Sequence, residues 1–235
     1  MYGSAFIKRR LAAQRALAEQ QSSQESVSLP KGAADLFRTS KYSDITIVCG
    51  GQNWDLHKSI ICTQSDFFAK ACNWLSRQAK PARIDLCDDD DSAAVAAMLY
   101  FFYHGDYRVS DDHSDDFLPM VLHVKLYVMA DKYFNERLRR AAFAKLAVDM
   151  YLGWKTNAFA DAVAEIYAPH SGKHDELREL AVMRTRGHAS SLFRERKRYA
   201  GFRAMAWSTP EFAADVARAL ATGGGIKGVP VKAKA

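Results

Sequence analysis

Four cysteines in 235 residues, none of them in a C-x-x-C pair, give no basis for a disulfide framework or a structural zinc site. Cys49, Cys62, Cys72 and Cys87 each sit among apolar neighbours, where a free thiol packs as a small hydrophobe, so buried, reduced cysteines are expected. Six prolines and 13 glycines are too few for a collagen-like or proline-rich chain. Long apolar runs are also missing. The longest unbroken one covers residues 93–103, well short of the about 20 residues that span a bilayer, so no membrane segment is expected. Residues 1–20 do not read as a signal peptide, because Lys8, Arg9 and Arg10 interrupt the apolar residues and no h-region follows. No N-x-S/T acceptor occurs. Together these absences point to an intracellular, reducing location, nuclear and/or cytoplasmic.

Apolar material, in contrast, is plentiful. Hydrophobic residues make up 49% of the chain and aromatics 11%, enough to bury a sizeable core and to exclude a fully disordered chain. The formal charge of +6 is unevenly spread. Residues 1–40 carry 6 Lys/Arg against 3 Asp/Glu, residues 41–150 carry 13 against 16, and residues 151–235 carry 14 against 8. A mildly acidic middle is therefore flanked by basic ends.

Residues 5–20 have the pattern of a short helix bearing Phe6, Ile7, Leu11 and Leu17, and 21–28 form a Ser/Gln linker expected to be disordered. A short helix over 33–39 carries Leu36 and Phe37. From Asp44 the pattern changes. Ile45, Ile47 and Cys49 alternate with Thr46 and Val48, a period of two with β-branched residues that predicts a strand. Gly50-Gly51 suits a turn, and Trp54 and Leu56 alternate with polar residues in a second strand, so a hairpin is predicted. Helices follow over 58–64 and 66–73, with Ser65 placed to cap the second. A third strand is predicted at 83–87 through Ile84 and Leu86. The acidic run Asp88–Asp91 then prefaces a helix over 93–103 that is apolar on every side, as expected of a central core helix. Asp111–Asp116 repeats the acidic preface, and helices are predicted from Pro119 to about Tyr133 and over 135–152. Further helices are expected over 156–168, 175–198 and 211–221, with 169–173 and 201–210 as connectors. The tail 223–235 reads as disordered. Three strands are too few for a barrel or sandwich. The expected class is α+β: a small sheet against a cluster of helices, with a C-terminal helical extension.

The stretch SDITIVCGGQNWDLHKSIICTQSDFF, starting at Ser43, resembles the opening of the BTB/POZ domain family, in particular its many fungal members. Asp44, Trp54, His57, Lys58, Ser65 and Phe68 fill its pattern of an acidic residue, an aromatic, H-K and S-x-x-F. IDL at Ile84 and the apolar helix closing as YHGDY, with Tyr103 and Gly105, continue the likeness. The VKLYVMADKYF stretch from Val124, with Ala130, Lys132 and Tyr133, is similar to the family's A-x-K-Y segment. The likeness covers residues 42–152. It implies that Asp44, Trp54, His57, Lys58, Ser65, Phe68, Tyr103, Gly105, Ala130 and Tyr133 define the fold. It also implies that elements before the first strand help to build a homodimer. Cullin-3-binding members of the family carry a hydrophobic-x-Glu motif after the helix that ends here near Asn73; this chain has WLSRQ from Trp74, without the Glu.

Catalytic chemistry finds no support. His57 lacks a nucleophile or acid in a recognisable setting, and no G-x-S-x-G occurs, so a structural histidine near the Asp44 end of the hairpin is expected. His170 and His174 form H-x₃-H in a loop without completing a ligand set. The acidic run 88–91 lacks the ligand alternation of a calcium loop and reads as a solvated helix start. The GGGIK stretch from Gly223 follows no strand and is not a phosphate loop. No cofactor or metal is expected. The basic run Arg194, Arg196, Lys197 and Arg198 has two open readings, a solvated helix face or a nuclear import signal. Nucleic-acid binding is not expected, because few aromatics are interleaved with it.

The expected organisation is an N-terminal extension over 1–40, partly disordered, a BTB/POZ-like domain over 41–152, a helical extension over 153–222 and a disordered tail over 223–235. The expected function is protein–protein interaction without catalysis, as a homo- or hetero-oligomerising scaffold. The alternative is a substrate adaptor of a cullin-3 ubiquitin ligase, which the helices after Gly153 favour and the missing Glu opposes. An enzyme of unknown class is the least supported reading. Leu36, Phe37, Trp74 and Leu75 are the candidate partner surface.

Overall fold

The computed structural model describes residues 31–76, 82–86, 90–108, 119–195 and 197–222. The expected helix over 5–20, the linker, the acidic stretch 111–116, Cys87, Asp88, Asp89, Arg196 and the tail lie outside the described residues. The chain divides into two compact units, residues 1–115 with 125–145 and residues 116–124 with 146–235.

In the first unit, helix α1 (Lys31–Thr39) precedes strands β1 (Ile45–Cys49) and β2 (Gln52–Leu56). Ile45, Ile47 and Cys49 are buried while Thr46 and Val48 are half-buried, the alternation read from the sequence. The hairpin is antiparallel, with Ile47 opposite Trp54. Gly50 (φ 56°) and Gly51 (φ 78°) both occupy the left-handed region that a tight hairpin turn requires. A side chain at Gly50 would also press on Ser92, whose Cβ would lie 3.3 Å from the new Cβ. Trp54 shares the face of buried Leu56 but is only half-covered at the sheet edge. Helices α2 (Lys58–Gln64) and α3 (Asp66–Leu75) then carry the chain to β3 (Arg83–Asp85), which pairs parallel with β1. The strand order is β2-β1-β3. The parallel pairing needs the crossover that α2 and α3 provide.

Helix α4 (Ser92–His104) is the interior element. Ala94, Val95, Met98, Leu99, Phe101, Phe102 and Tyr103 are all buried. The Asp91 carboxylate caps it by accepting from the Ala93 and Ala94 amides, and Gly105 (φ 75°) ends it by donating its N–H to the Phe101 carbonyl. Phe68 lies edge-on to Phe102 and stacks flat on Tyr133, with centroids 6.0 and 5.5 Å apart. Residues 125–132 of helix α5 (Met120–Lys132) and 136–145 of helix α6 (Glu136–Gly153) complete this unit, and α6 starts from an Asn135 cap whose Oδ1 accepts from the Leu138 amide. The small sheet with surrounding helices is an α+β arrangement.

In the second unit, α7 (Asn157–Ile166), α8 (Asp175–Arg194), α9 (Ala200–Ser208) and α10 (Pro210–Thr222) pack around Phe159, Val163, Leu177, Leu192, Phe202 and Phe212. Two expectations need correction. The helix expected over 175–198 ends at Arg194, and 200–208, expected to be a connector, is helix α9. Gly201 suggested a break, but it falls in the first turn of α9, where its small size serves packing. A Cβ there would come within 3.1 Å of Asn157 Oδ1. Phe202, Met205 and Ala206, at i, i+3 and i+4, form the buried face. The two cores place Phe68 and Phe212 alike at 0% exposure.

Phe68→Asp should lower the stability of the full chain by more than about 4 kcal/mol, through a buried unpaired charge and the lost ring packing. Chemical denaturation checks this; an unchanged midpoint would remove Phe68 from the core.

Candidate interaction surface

The residues expected to define the domain meet around the ends of α4. His57, 5% exposed, sits at the N-cap of α2, the structural position the sequence suggested. Its Nε2 lies 2.7 Å from the Lys41 carbonyl and its Nδ1 2.9 Å from the Tyr103 hydroxyl. A carbonyl can only accept, so Nε2 carries the proton and Nδ1 accepts from Tyr103. The Tyr103 oxygen also accepts the His57 backbone N–H at 2.9 Å. Burial pushes the Tyr103 hydroxyl up to about 12, with nearby Asp44 adding to the effect, so it works as a neutral linker. Asp44 itself is exposed, and its Oδ1 accepts the Lys58 backbone N–H at 2.8 Å, satisfying the first amide of α2. The histidine reaches a tyrosine, and the aspartate holds a helix start.

Ser65 joins α3 to the end of α5. Its Oγ accepts from the Phe68 amide at 3.3 Å and donates to the Tyr133 carbonyl at 2.5 Å. Ala130 and Tyr133 are buried beside it. The acidic run 88–91 is not a solvated helix start at the two residues described. The Asp90 side chain is 7% exposed and accepts from Lys132 Nζ at 2.8 Å and Tyr133 hydroxyl at 2.7 Å. Asp91 meets Lys125 Nζ at 2.6 Å besides capping α4. Partial burial works against ionisation of Asp91, but the Lys125 ammonium and the Ala93 and Ala94 amides outweigh it and hold the carboxyl below its ordinary range. Asn135 was also missed. It is buried, and its Nδ2 donates to the Gln64 carbonyl at 2.8 Å.

Among the described cysteines, Cys49 and Cys72 are buried and Cys62 is half-buried. Burial, reinforced by Cys72, pushes the Cys62 thiol up to about 12, which leaves little thiolate at neutral pH. No group of three or more His, Cys, Asp or Glu side chains among the described residues could hold a metal. His170 instead pairs with Glu165 at 3.0 Å.

The outer face of α3 differs from this satisfied interior. Trp74 is 61% exposed, and Lys70, one turn earlier, reaches to 5.8 Å from the centroid of Phe134, itself 64% exposed. Phe134 holds this position with φ at 54°, in the left-handed region that non-glycine residues rarely adopt. Trp74 and Leu75 belong to the last turn of α3, and Leu75 is half-buried. On α1, Leu36 and Phe37 are half-buried, and Phe37 packs on Tyr100, Tyr103 and His104 of its own unit, with centroids 5.8, 5.0 and 5.7 Å away. Arg194, Lys197 and Arg198 are exposed, and Arg198 lies 3.6 Å from Glu195.

Residues 34–139 match the family model described as BTB/POZ domain. Among solved structures, the chain is similar to the BTB (Tramtrack and Bric a brac) domain of human gigaxonin, at 19% identity and a TM-score of 0.35, covering 50% of this chain and 92% of that one. The chain carries a BTB/POZ domain over the matched stretch. Such a domain is a protein–protein interaction and oligomerisation module. No described helix is long and apolar enough to cross a membrane.

Tyr103→Phe should cost about 2 kcal/mol, since it strands the buried His57 amide and Nδ1. Denaturation midpoints of the two proteins measure it, and equal midpoints would contradict the hydrogen-bond assignment. Asp91→Ala should cost about 1 kcal/mol at neutral pH. The lowered folded-state ionisation of Asp91 stabilises the fold above the ordinary carboxylate range, and that contribution disappears as pH falls through the folded value. The gap between wild type and Asp91→Ala should therefore narrow as pH falls below the ordinary carboxylate range. A gap independent of pH would show that the charge of Asp91 does not matter.

Proposed function

We propose that the chain is an oligomerising scaffold, self-associating through its BTB/POZ domain and presenting the outer face of α3 to a further protein. The observation that carries this is the contrast within one unit. Buried polar groups such as His57, Ser65 and Asp90 find partners, while Trp74 and Phe134 stay open to water around Lys70. Large aromatics are among the residue types enriched at protein interfaces. The half-buried Leu36 and Phe37 on α1 supply apolar surface ahead of β1 for self-association.

The second reading is a substrate adaptor of a cullin-3 ubiquitin ligase, in the nucleus or the cytoplasm. The exposed Trp74 at the end of α3 and the helices α7 to α10 support it, and the missing Glu after Trp74 opposes it. No catalytic role is proposed.

Sedimentation equilibrium at micromolar concentration should give the mass of a dimer, and a monomer throughout would overturn self-association. Trp74→Glu should keep the melting temperature, as expected of an exposed site. If the adaptor reading holds, wild type binds the amino-terminal region of cullin-3, and Trp74→Glu weakens that binding by about 30-fold, the loss of one hot-spot residue. No binding of wild type at tens of micromolar would eliminate the adaptor.

A further inference from the structure

The basic C-terminal part of the chain, with 14 Lys/Arg against 8 Asp/Glu over 151–235, folds so that several of its cations meet aromatic rings. Trp154, in the link between α6 and α7, stacks flat on His188 of α8, with centroids 3.8 Å apart and planes 5° apart. Lys155 Nζ lies 5.0 Å from the Trp154 centroid. One turn before His188, the Arg184 guanidinium sits 4.8 Å from the ring of Tyr151, at the end of α6. Tyr199 closes the cluster, 5.9 Å from Trp154, with Arg198 over its ring at 5.6 Å. All of these residues belong to the second unit.

The cluster has two properties that a solvated helix face lacks. First, two of its three cations are unpaired, Arg198 alone lying near a carboxylate, that of Glu195. Neither Lys155 nor Arg184 forms an ion pair among the described residues, and the buried Arg184 Nε has no hydrogen-bond partner there. Burial chiefly, with the charges of Arg184 and Lys155 adding, holds the His188 imidazole below the usual histidine range. Second, two of its aromatics are not sealed in, although Tyr199 is buried. Tyr151 stays 51% exposed although Arg184 lies over it, and Trp154 is half-buried. An extended acidic peptide would use the cations and gain little from open ring surface. A nucleotide strand offers both phosphates for the cations and flat bases for the rings.

We propose that this cluster binds single-stranded nucleic acid, with Lys155, Arg184 and Arg198 on the phosphates and Tyr151 as a base platform. The basic run near Arg194 lacks interleaved aromatics in the sequence. The fold supplies them from the end of α6 and the link to α7.

The test is fluorescence anisotropy of the full chain with a labelled oligothymidylate of about 12 nucleotides, a length within the range such sites cover. Wild type should bind at low salt and weaken as salt rises. Lys155→Glu with Arg198→Glu should weaken binding at least about tenfold and flatten the salt dependence by about 0.7 in log–log slope for each phosphate no longer neutralised. Tyr151→Ala should weaken the oligonucleotide and leave binding of a polyglutamate peptide unchanged. Should the Glu variant fail to fold by melting, the corresponding Gln pair replaces it with the same expected direction. Absence of binding by wild type, full binding by the charge variant, or equal competition by polyglutamate with no effect of Tyr151→Ala would each overturn the proposal. The last of these would assign the cluster to an acidic protein segment instead.

Discussion

A 13-residue helix that is apolar on every side is driven into the interior, and α4 is such a helix, with Ala93 in its first turn its one exposed residue. Its burial dictates the arrangement around it. The hairpin and its parallel third strand, the α2–α3 pair and the 125–132 part of α5 all belong to the unit that encloses it. The ends of α4 are its only polar parts, and each has a specific answer: the Asp91 carboxylate for the free amides at the start, the left-handed Gly105 for the carbonyls at the finish. Tyr103, at the last turn, turns its hydroxyl to His57 and so ties α4 to the start of α2.

From that anchoring the surface follows. His57 and Asp44 fix where α2 begins, and Ser65 fixes where α3 begins by bonding both its own first turn and the Tyr133 carbonyl. Asp90 holds Lys132 and Tyr133 from the other side. With Phe68 held inward against Phe102 and Tyr133, the opposite side of α3 turns outward with Lys70 and Trp74, and Phe134 follows Tyr133 into the same region. The exposed aromatics are therefore a consequence of the interior, held on a rigid helix rather than on a loose loop. A rigid aromatic presented in this way loses little conformational freedom on binding, which suits an interaction module.

Periodicity made most of this legible. The alternation of Ile45, Ile47 and Cys49, the glycine pair, Ser65 before α3 and the apolar stretch 93–103 each encode a local element whose signal lies within a few residues. What stayed hidden depends on contacts distant in sequence. The parallel pairing of β3 with β1 leaves no local trace, nor does the partnership of His57 with Tyr103, 46 positions away. The acidic run looked solvated because the cations that neutralise it, Lys125 and Lys132, come a whole helix later. Helix α9 was obscured by Gly201, whose reason is the close approach of Asn157 rather than a break. Likewise the sequence around Arg194 shows a basic run with aromatics only at its flanks, Phe193 and Tyr199, and only the fold brings Trp154 against His188.

Amide hydrogen exchange followed along the whole chain tests the central role of α4 most directly. If every other element of its unit is organised around it, the amides from Met98 to Tyr103 exchange only through global unfolding and are the slowest of residues 31–108, with a free energy matching that of denaturation. Exchange of these amides by local opening, ahead of those in β1 or α3, would show that the helix is peripheral and that the surface on α3 is not set by it.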